Sequence, residues 1–353
     1  MKSPMHEHWM ELALRQAVRG YSAPNPLVGC VIVKDGEWVS SGFHLAAGLP
    51  HAEVEALRGA SPKKLVGSDV YVTLEPCAHQ GRTPSCAQAL IEAKVARVIV
   101  AMRDPGIGKG GCKVLRAAGI EVIEGVLEDE ARRLNAIWLS QFDRGRPFVT
   151  LKAAITLDGR LGPGLITNSL SRHRGRQMRA QHGAVLVGAE TALMDNPMLT
   201  VREEFPMAEP PIRIVLDPRR RLPDDLKLFT DEKAPTWRVV SSTHAAPGDV
   251  VVPMRDGALD LGALLSRLTE AGIPGLLVEG GARTHASFHQ QGLVDRLCLF
   301  LAPSWKGEGP VWDASLDGIK FSRVASQVLA EDVLIQYDVH GWRQRDPGPL
   351  NQP

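Results

Sequence analysis

The chain has 353 residues, which exceeds the usual size of one compact domain and favours two domains. Its 41 lysines and arginines balance 40 aspartates and glutamates, and a net charge of +1 argues against a general attraction to nucleic acid or anionic membranes. No apolar run reaches the roughly 18 residues that span a bilayer, and the first residues lack the apolar stretch of a signal peptide. We therefore expect a soluble, cytoplasmic protein with no nucleic-acid or membrane partner.

The first half of the chain alternates apolar strands with helices. The predicted strands are 28–33, 69–74, 96–102 and 120–125, and the predicted helices are 51–60, 85–93, 113–119 and 129–142. This order is typical of an α/β domain in which helices cover both faces of a sheet. Turn residues and a proline at 143–147 interrupt the pattern, so we place the domain boundary between residues 145 and 146.

The second half is also predicted to be α/β. Its predicted strands are 148–155, 184–188, 212–217, 237–242, 275–281, 296–303 and 332–339. A basic helix is predicted at 169–183, with Gly183 as its C-terminal cap. We expect a loop at 203–211 and no regular structure in the proline- and glycine-rich tail 343–353.

A histidine, a glutamate and two cysteines in the first half have the spacing of a zinc site. His51 stands two residues before Glu53, and Cys77 precedes Cys86 by nine residues. Zinc-dependent hydrolysis needs three nitrogen or sulfur ligands, an open fourth position and a proton carrier that is not a ligand. Helices are predicted to start at His51 and Cys86, and the partial positive charge at a helix start favours thiolates over thiols. The H-x-E and P-C…C pattern matches zinc-dependent base deaminases. A closed structural zinc site is the alternative, but such a site would not require Glu53.

Three segments resemble one family of enzymes. Residues 24–36, 48–57 and 71–86 resemble the deaminase half of the RibD family, the bifunctional proteins of riboflavin biosynthesis. The segment "AHQGRTPS" between the two cysteines is longer than the two residues found in ordinary cytidine deaminases. The resemblance implies that this segment, with His79, Arg82 and Thr83, faces the substrate. It also implies that Asn25 contacts the substrate, with an Asx-turn as the alternative.

The resemblance implies a cytidine-deaminase-like, three-layer domain at residues 1–145. One zinc ion would be held by His51, Cys77 and Cys86. The substrate would be 2,5-diamino-6-(5-phosphoribosylamino)pyrimidin-4(3H)-one, which loses its 2-amino group by hydrolysis. Glu53 would take a proton from water and return it to the departing ammonia.

The second half resembles the reductase half of the same family, whose fold is similar to that of dihydrofolate reductase. The resemblance is carried by residues 151–160, 179–202, 211–217 and 277–284, and no G-x-G-x-x-G follows a strand. Residues 146–353 would reduce the ribosyl group with NADPH, giving 5-amino-6-(5-phosphoribitylamino)uracil. The implied NADPH contacts are Ala154, Thr191, Asp195, Gly280 and Gly281, and the implied substrate contacts are Arg179, Leu199, Arg202 and Glu279. Lys152 and Asp158 either orient or protonate the substrate, or support the fold.

Two segments depart from the family pattern. The segment "LDGRLGPGLIT" (157–167) is about five residues shorter than usual and lacks a serine and a tryptophan, and "DPGIGKGG" (104–111) is also short. One alternative is therefore a deaminase whose second domain binds but does not reduce. A nucleic-acid base deaminase is disfavoured by the balanced charge and 5% aromatic content, and a non-enzymatic binding module is the third class. We expect a homo-oligomer.

Overall fold

The computed structural model describes residues 4–79, 85–106, 108–162, 164–201, 205, 209–316, 318 and 320–339. The chain folds into two compact units, Met1–Phe142 and Asp143–Pro353. Arg82, Thr83, Arg202 and the tail 343–353 lie outside the described residues, as does most of 203–211. In the part of the chain described, no helix combines the length and apolar character needed to cross a membrane.

The first unit is built on a five-stranded sheet. Its strands are β1 (Gly29–Lys34), β2 (Glu37–Phe43), β3 (Asp69–Leu74), β4 (Arg97–Met102) and β5 (Glu121–Glu124). Its helices are α1 (Pro4–Ala17), α2 (Ala52–Arg58), α3 (Pro62–Leu65), α4 (Cys86–Glu92), α5 (Gly111–Ala117), α6 (Glu128–Leu134) and α7 (Ala136–Asp143). The strand order is β2-β1-β3-β4-β5; β3, β4 and β5 are parallel, whereas β1 pairs antiparallel with β2 and β3. Five of the six residues in each of β1, β3 and β4 are buried, so both faces of the central sheet are covered.

Close helix packing in this unit depends on small residues. A Cβ added to Gly29 would lie 2.0 Å from the carbonyl oxygen of Ala13, so α1 packs directly on the backbone of β1. A Cβ added to Gly42 would lie 2.4 Å from the carbonyl oxygen of Ala52, at the start of α2. Glycine at position 42 therefore lets the first turn of α2, which follows His51, approach the sheet closely.

One predicted helix of the first unit is wrong. Residues 129–142 form two helices, α6 and α7, rather than one. The break falls at Asn135, whose side chain accepts a hydrogen bond from the amide of Leu27 at 2.8 Å and donates one to its carbonyl at 3.0 Å. This tertiary contact spans 108 residues and is not visible in a local pattern. Helix α1 and strand β2 were not predicted.

The described part of the second unit has eleven strands, nine of which form one sheet. Its strands are β6 (Phe148–Thr156), β7 (Gly183–Gly188), β8 (Ile212–Leu216), β9 (Thr236–Val240), β10 (Val250–Val251), β11 (Met254–Arg255), β12 (Ala258–Leu259), β13 (Gly275–Val278), β14 (Arg296–Ala302), β15 (Phe321–Leu329) and β16 (Asp332–Val339). Its helices are α8 (Ser169–His182), α9 (Ala189–Asp195), α10 (Lys227–Thr230), α11 (Leu261–Glu270) and α12 (Ala282–Gln290). The strand order is β10-β9-β8-β7-β13-β6-β14-β16-β15, and β11 pairs with β12 separately. The first seven strands in that order are parallel, and β16 and β15 continue the sheet antiparallel.

The centre of this sheet positions the second site. Strands β7 and β13 pair in register, and all four residues of β13 are buried. Helix α8 ends as predicted, because Gly183 takes a left-handed conformation with φ of 83°. The predicted strand 275–281 is shorter than expected: β13 stops at Val278, and the next three residues turn into α12. Strand β15 was not predicted, since its exposed edge position gives it no apolar run.

Two candidate active sites

The three predicted zinc ligands lie together in the first unit. The ligand atoms of His51, Cys77 and Cys86 are all within 4.8 Å of one another. The Nδ1 atom of His51 is 3.2 Å from the sulfur of Cys86 and 3.7 Å from that of Cys77. His51 is the extended residue that precedes α2, and Cys86 is the first residue of α4. Two helix starts and one loop therefore converge on a point that a tetrahedral ion can occupy.

A buried carboxylate fixes the loop that carries Cys77. Glu75 follows β3 directly, and its side chain accepts hydrogen bonds from the amides of Gly110 and Cys112, each at 3.0 Å. The backbone of Gly111 packs directly on that of Pro76, because a Cβ added to Gly111 would lie 1.7 Å from the carbonyl oxygen of Pro76. Glu75 was not predicted as a site residue. Its position in the sequence, between a predicted strand and the pair Pro76-Cys77, is the signal that could have identified it.

The two thiols of the cluster differ in their pKa. A hydrogen bond from Cys86 lowers the pKa of the Cys77 thiol to about 4, and further hydrogen bonds from His51 and the Cys86 amide act in the same direction. The pKa of Cys86 is raised, because it donates to Cys77 and is buried. The lowered pKa of Cys77 favours a thiolate there, and binding of a divalent ion would release the proton of the other thiol.

Glu53 is placed beside the cluster without being part of it. The side chain is only 3% exposed and lies on the first turn of α2. Burial raises the pKa of its carboxyl group, while the neighbouring His51 and a hydrogen bond with Cys86 partly offset the increase. A carboxyl group with a raised pKa next to a metal cluster is suited to accept and return a proton.

Asn25 is linked to the cluster through a second histidine. Its side-chain amide donates to Nε2 of His44 at 3.2 Å, and Nδ1 of His44 lies 3.1 Å from the carbonyl oxygen of Pro50. The rings of His44 and His51 are 5.5 Å apart, edge to face. Burial lowers the pKa of His44, which keeps it neutral in this network. His44 was not predicted, since only the folded chain brings it next to His51. His79 is exposed.

The second unit contains a large cleft that gathers the predicted reductase residues. The cleft has a volume of about 1170 Å³, and its lining includes residues at the carboxyl ends of β7, β8 and β13. Eight predicted contact residues line it: Ala154, Thr191, Asp195, Gly280, Gly281, Arg179, Leu199 and Glu279. They come from segments up to about 130 residues apart in sequence, so their convergence is a property of the fold.

The turn after β13 brings its backbone close to the cleft. A Cβ on Gly280 would lie 3.0 Å from Cγ2 of Thr191, and Gly281 has φ of 71°, which disfavours other residues. The nine-residue helix α12 begins at the next residue, so its first amide groups point toward the cleft end of the strand. Such a turn accommodates the pyrophosphate of a dinucleotide.

Arg179 and Glu279 form a buried pair in the cleft. Nε and Nη2 of Arg179 donate to the two carboxylate oxygens of Glu279 at 2.5 and 2.8 Å, and Nη1 donates to the carbonyl oxygen of Thr200 at 2.9 Å. Burial raises the pKa of Glu279, but the guanidinium of Arg179 and the ammonium of Lys152 lower it to about 2. The carboxylate is therefore ionised near neutrality. It holds the guanidinium in one orientation, and contacts among the described residues use three of its five N–H donors.

Lys152 and Asp158 occupy different positions. Lys152 lines the cleft, with Nζ 5.5 Å from the centre of the Phe300 ring. Burial lowers the pKa of this lysine, and Glu279 partly offsets the effect. Asp158 instead accepts hydrogen bonds from Thr156 and from the amides of Lys306 and Gly307. These contacts support the loop, in line with the fold-supporting alternative for Asp158.

Comparisons with known proteins match both units. Residues 3–102 match the cytidine and deoxycytidylate deaminase zinc-binding region, and residues 147–335 match the RibD C-terminal domain. The riboflavin biosynthesis protein RibD of Aquifex aeolicus is 40% identical over 349 residues, which cover 93% of this chain and 97% of that protein. RibD of Escherichia coli is 39% identical over 352 residues, covering 93% and 95% respectively.

Solved structures give the same result. Acinetobacter baumannii RibD superposes with a TM-score of 0.77 at 35% identity, covering 95% of this chain and 99% of its own. The diaminohydroxyphosphoribosylaminopyrimidine deaminase/5-amino-6-(5-phosphoribosylamino)uracil reductase of Thermotoga maritima superposes with a TM-score of 0.79 at 34% identity and the same coverage. The predicted fold classes, cytidine-deaminase-like and dihydrofolate-reductase-like, are confirmed.

Proposed function

The chain belongs to the RibD family, and from this premise we propose which of its residues perform each of the family's two reactions. It is a bifunctional enzyme of riboflavin biosynthesis that uses zinc and NADPH. It deaminates 2,5-diamino-6-(5-phosphoribosylamino)pyrimidin-4(3H)-one and then reduces the ribosyl group to give 5-amino-6-(5-phosphoribitylamino)uracil. The deaminase-only alternative is not favoured, since the matches extend through both halves. We assign deamination to residues 1–145 and reduction to residues 146–353.

The donor set of the first site fits a catalytic zinc ion. One imidazole nitrogen and two sulfurs lie within 4.8 Å of one another, and we propose that His51, Cys77 and Cys86 are the three ligands. Three protein ligands leave a fourth position for water or substrate. Bound zinc supplies a water of lowered pKa for addition to the amino-bearing ring carbon. The compact cluster beside a buried, non-ligating carboxyl group is the observation that carries this proposal.

Glu53 moves the protons of the deamination. Its carboxylate accepts a proton from the attacking water, and its buried carboxyl group then donates that proton to the leaving amino group, which departs as ammonia. The raised pKa of Glu53 suits both steps, because a carboxyl group of raised pKa accepts a proton more readily than an ordinary one. We propose that Asn25 hydrogen-bonds the pyrimidine, and its hydrogen bond with His44 supports this by orienting the amide.

The second site fits a dinucleotide and a phosphorylated substrate. We assign NADPH to Ala154, Thr191, Asp195 and the Gly280-Gly281 turn, because all of them line one cleft. We assign the substrate to Arg179, Leu199 and Glu279, together with Arg202. When bound, NADPH supplies a hydride for C1 of the opened ribosyl group. Arg179 offers planar, charged donors to the phosphate, and Glu279 keeps the guanidinium oriented.

We further propose a homo-oligomer in the cytoplasm. Strand β15 is the last strand of the nine-stranded sheet, and Val328 on it is 73% exposed, which suits pairing or packing with a second copy. A single monomeric species in sedimentation velocity would contradict the oligomer. The cytoplasm maintains reduced thiols, which the zinc site requires, and NADPH, which the reductase requires. Recovery of the native enzyme in a membrane or secreted fraction would contradict that placement.

The reductase half is tested with its own substrate. We expect the purified chain to oxidise NADPH when given the deaminated phosphoribosylaminouracil, without added zinc. The short 157–167 loop is expected to slow hydride transfer by no more than about a hundredfold, the cost of roughly 1 Å of misplacement. The decrease of nicotinamide absorbance measures the rate. If NADPH binds tightly but no oxidation occurs over hours, the assignment of reduction to residues 146–353 is wrong.

A further inference from the structure

Trp312 stands on the wall of the reductase cleft although it comes from a loop that no motif identifies. It follows β14 by ten residues and lines the cleft together with Phe300 and His285. Phe300 is 1% exposed and His285 is 2% exposed, whereas Trp312 is partly exposed. Among the cleft-lining residues that the structure describes, Trp312 is thus the aromatic side chain with surface available to a ligand.

His285 holds the indole of Trp312 in place. The Nε1–H group of Trp312 donates to Nδ1 of His285 at 3.0 Å, and Nε2 of His285 donates to the carbonyl oxygen of Val278 at 3.1 Å. Both ring nitrogens of the histidine are therefore used, and the imidazole is neutral. The two rings meet edge to face, with centroids 6.1 Å apart. This contact uses the edge of the indole, so the histidine does not cover the indole faces.

The main chain at Trp312 is also fixed. Its amide donates to the carbonyl oxygen of Gly159 at 2.8 Å, and the amide of Leu161 donates to Pro310 at 2.8 Å. Arg160 forms a β-bridge with Val311. The loop after β6, residues 157–167, contains no aromatic residue of its own. The segment that carries Trp312 therefore lies against this loop and adds the aromatic surface that the loop does not provide.

We propose that Trp312, held by His285, is a positioning residue against which a planar heteroaromatic ring packs in the reductase cleft. The ring is either the nicotinamide of NADPH or the pyrimidine of the substrate, and both share the flat π-surface that an indole recognises. The indole N–H is already satisfied, so Trp312 contributes packing and no hydrogen bond to the ligand. The inference rests on the proposed reductase function of this cleft and adds a residue to it.

Binding measurements on the full chain separate this role from a structural one. Isothermal titration calorimetry with NADPH and, separately, with the deaminated phosphoribosylaminouracil requires no turnover. Loss of stacking is expected to raise the dissociation constant of one of the two ligands about tenfold in Trp312→Leu. The ligand that is weakened identifies the ring. Trp305→Leu is the matched control: Trp305 lies in the same loop, is 75% exposed and does not line the cleft, so both affinities should stay unchanged.

A second variant retains a ring without the indole N–H. Trp312→Phe should keep both affinities within about threefold of the parent. Dissociation constants within twofold of the parent for both ligands in Trp312→Leu would overturn the inference. A Trp312→Phe variant whose affinity for either ligand falls more than tenfold would also overturn the inference. This second variant decides the question if Trp312→Leu does not fold. A parent chain that binds both ligands but fails to oxidise NADPH would contradict the proposed function and leave the role of Trp312 standing.

Discussion

Glu53→Gln is expected to retain zinc and the fold of the first unit while losing at least about a hundredfold in deamination. The amide has nearly the same shape as the carboxyl group, but it cannot accept a proton from water or return one to ammonia. General acid–base catalysis of this kind contributes roughly 10²–10⁴ in rate. The measurements are ammonia release from the diaminopyrimidine and zinc content per chain.

Glu55→Gln is the matched control for this experiment. Glu55 lies on the same helix two residues further on, and its side chain pairs with exposed Arg58 at 2.8 Å. We expect that variant to deaminate at the parent rate. Normal turnover by Glu53→Gln would show that Glu53 is only a helix residue and that another group carries the proton.

The double variant Cys77→Ser, Cys86→Ser is expected to lose its zinc. Two of the three ligand atoms would change from sulfur to hydroxyl oxygen, which does not ionise at neutral pH and leaves His51 as the only strong ligand. Deamination should fall at least about a thousandfold, because the pKa of water stays far above neutrality without the metal, whereas bound zinc lowers it to about 7. Metal analysis and ammonia release report the two effects.

Two controls separate zinc loss from general damage. Cys30→Ala removes another buried thiol of the first unit, on strand β1, that is not part of the cluster, and zinc should remain. NADPH oxidation with the deaminated substrate should persist in the double variant, because the reductase residues lie in the second unit. A double variant that still holds one zinc per chain contradicts the ligand assignment.

The zinc cluster was predictable because its signals are local. His51 and Glu53 are two residues apart at the start of one helix. Cys77 lies shortly after the end of β3, and Cys86 is the first residue of α4. The same short-range reasoning located most strands of both units. This reasoning failed where a contact between residues far apart in sequence determines where a helix ends. The break at Asn135 depends on Leu27, which is 108 residues away, and no local pattern contains that information.

The reductase cleft shows a different limit. Arg179 and Glu279 were both predicted as substrate contacts, but their pairing across 100 residues appears only in the folded chain. The pair matters for chemistry, because a guanidinium already oriented by a carboxylate needs little reorganisation when phosphate arrives. Trp312 was not predicted at all. Its partner His285 is 27 residues away in sequence, and neither residue belongs to a recognisable motif.

The most direct test of the two-reaction account supplies one purified chain with zinc, NADPH and the diaminopyrimidine, and follows ammonia and nicotinamide absorbance in the same sample. The account predicts ammonia first and NADPH oxidation after a lag, with one equivalent of each per substrate. In Glu53→Gln both signals should be suppressed, and NADPH oxidation should return when the deaminated uracil is added. Ammonia release without any NADPH oxidation, or oxidation that proceeds before ammonia appears, would contradict the account.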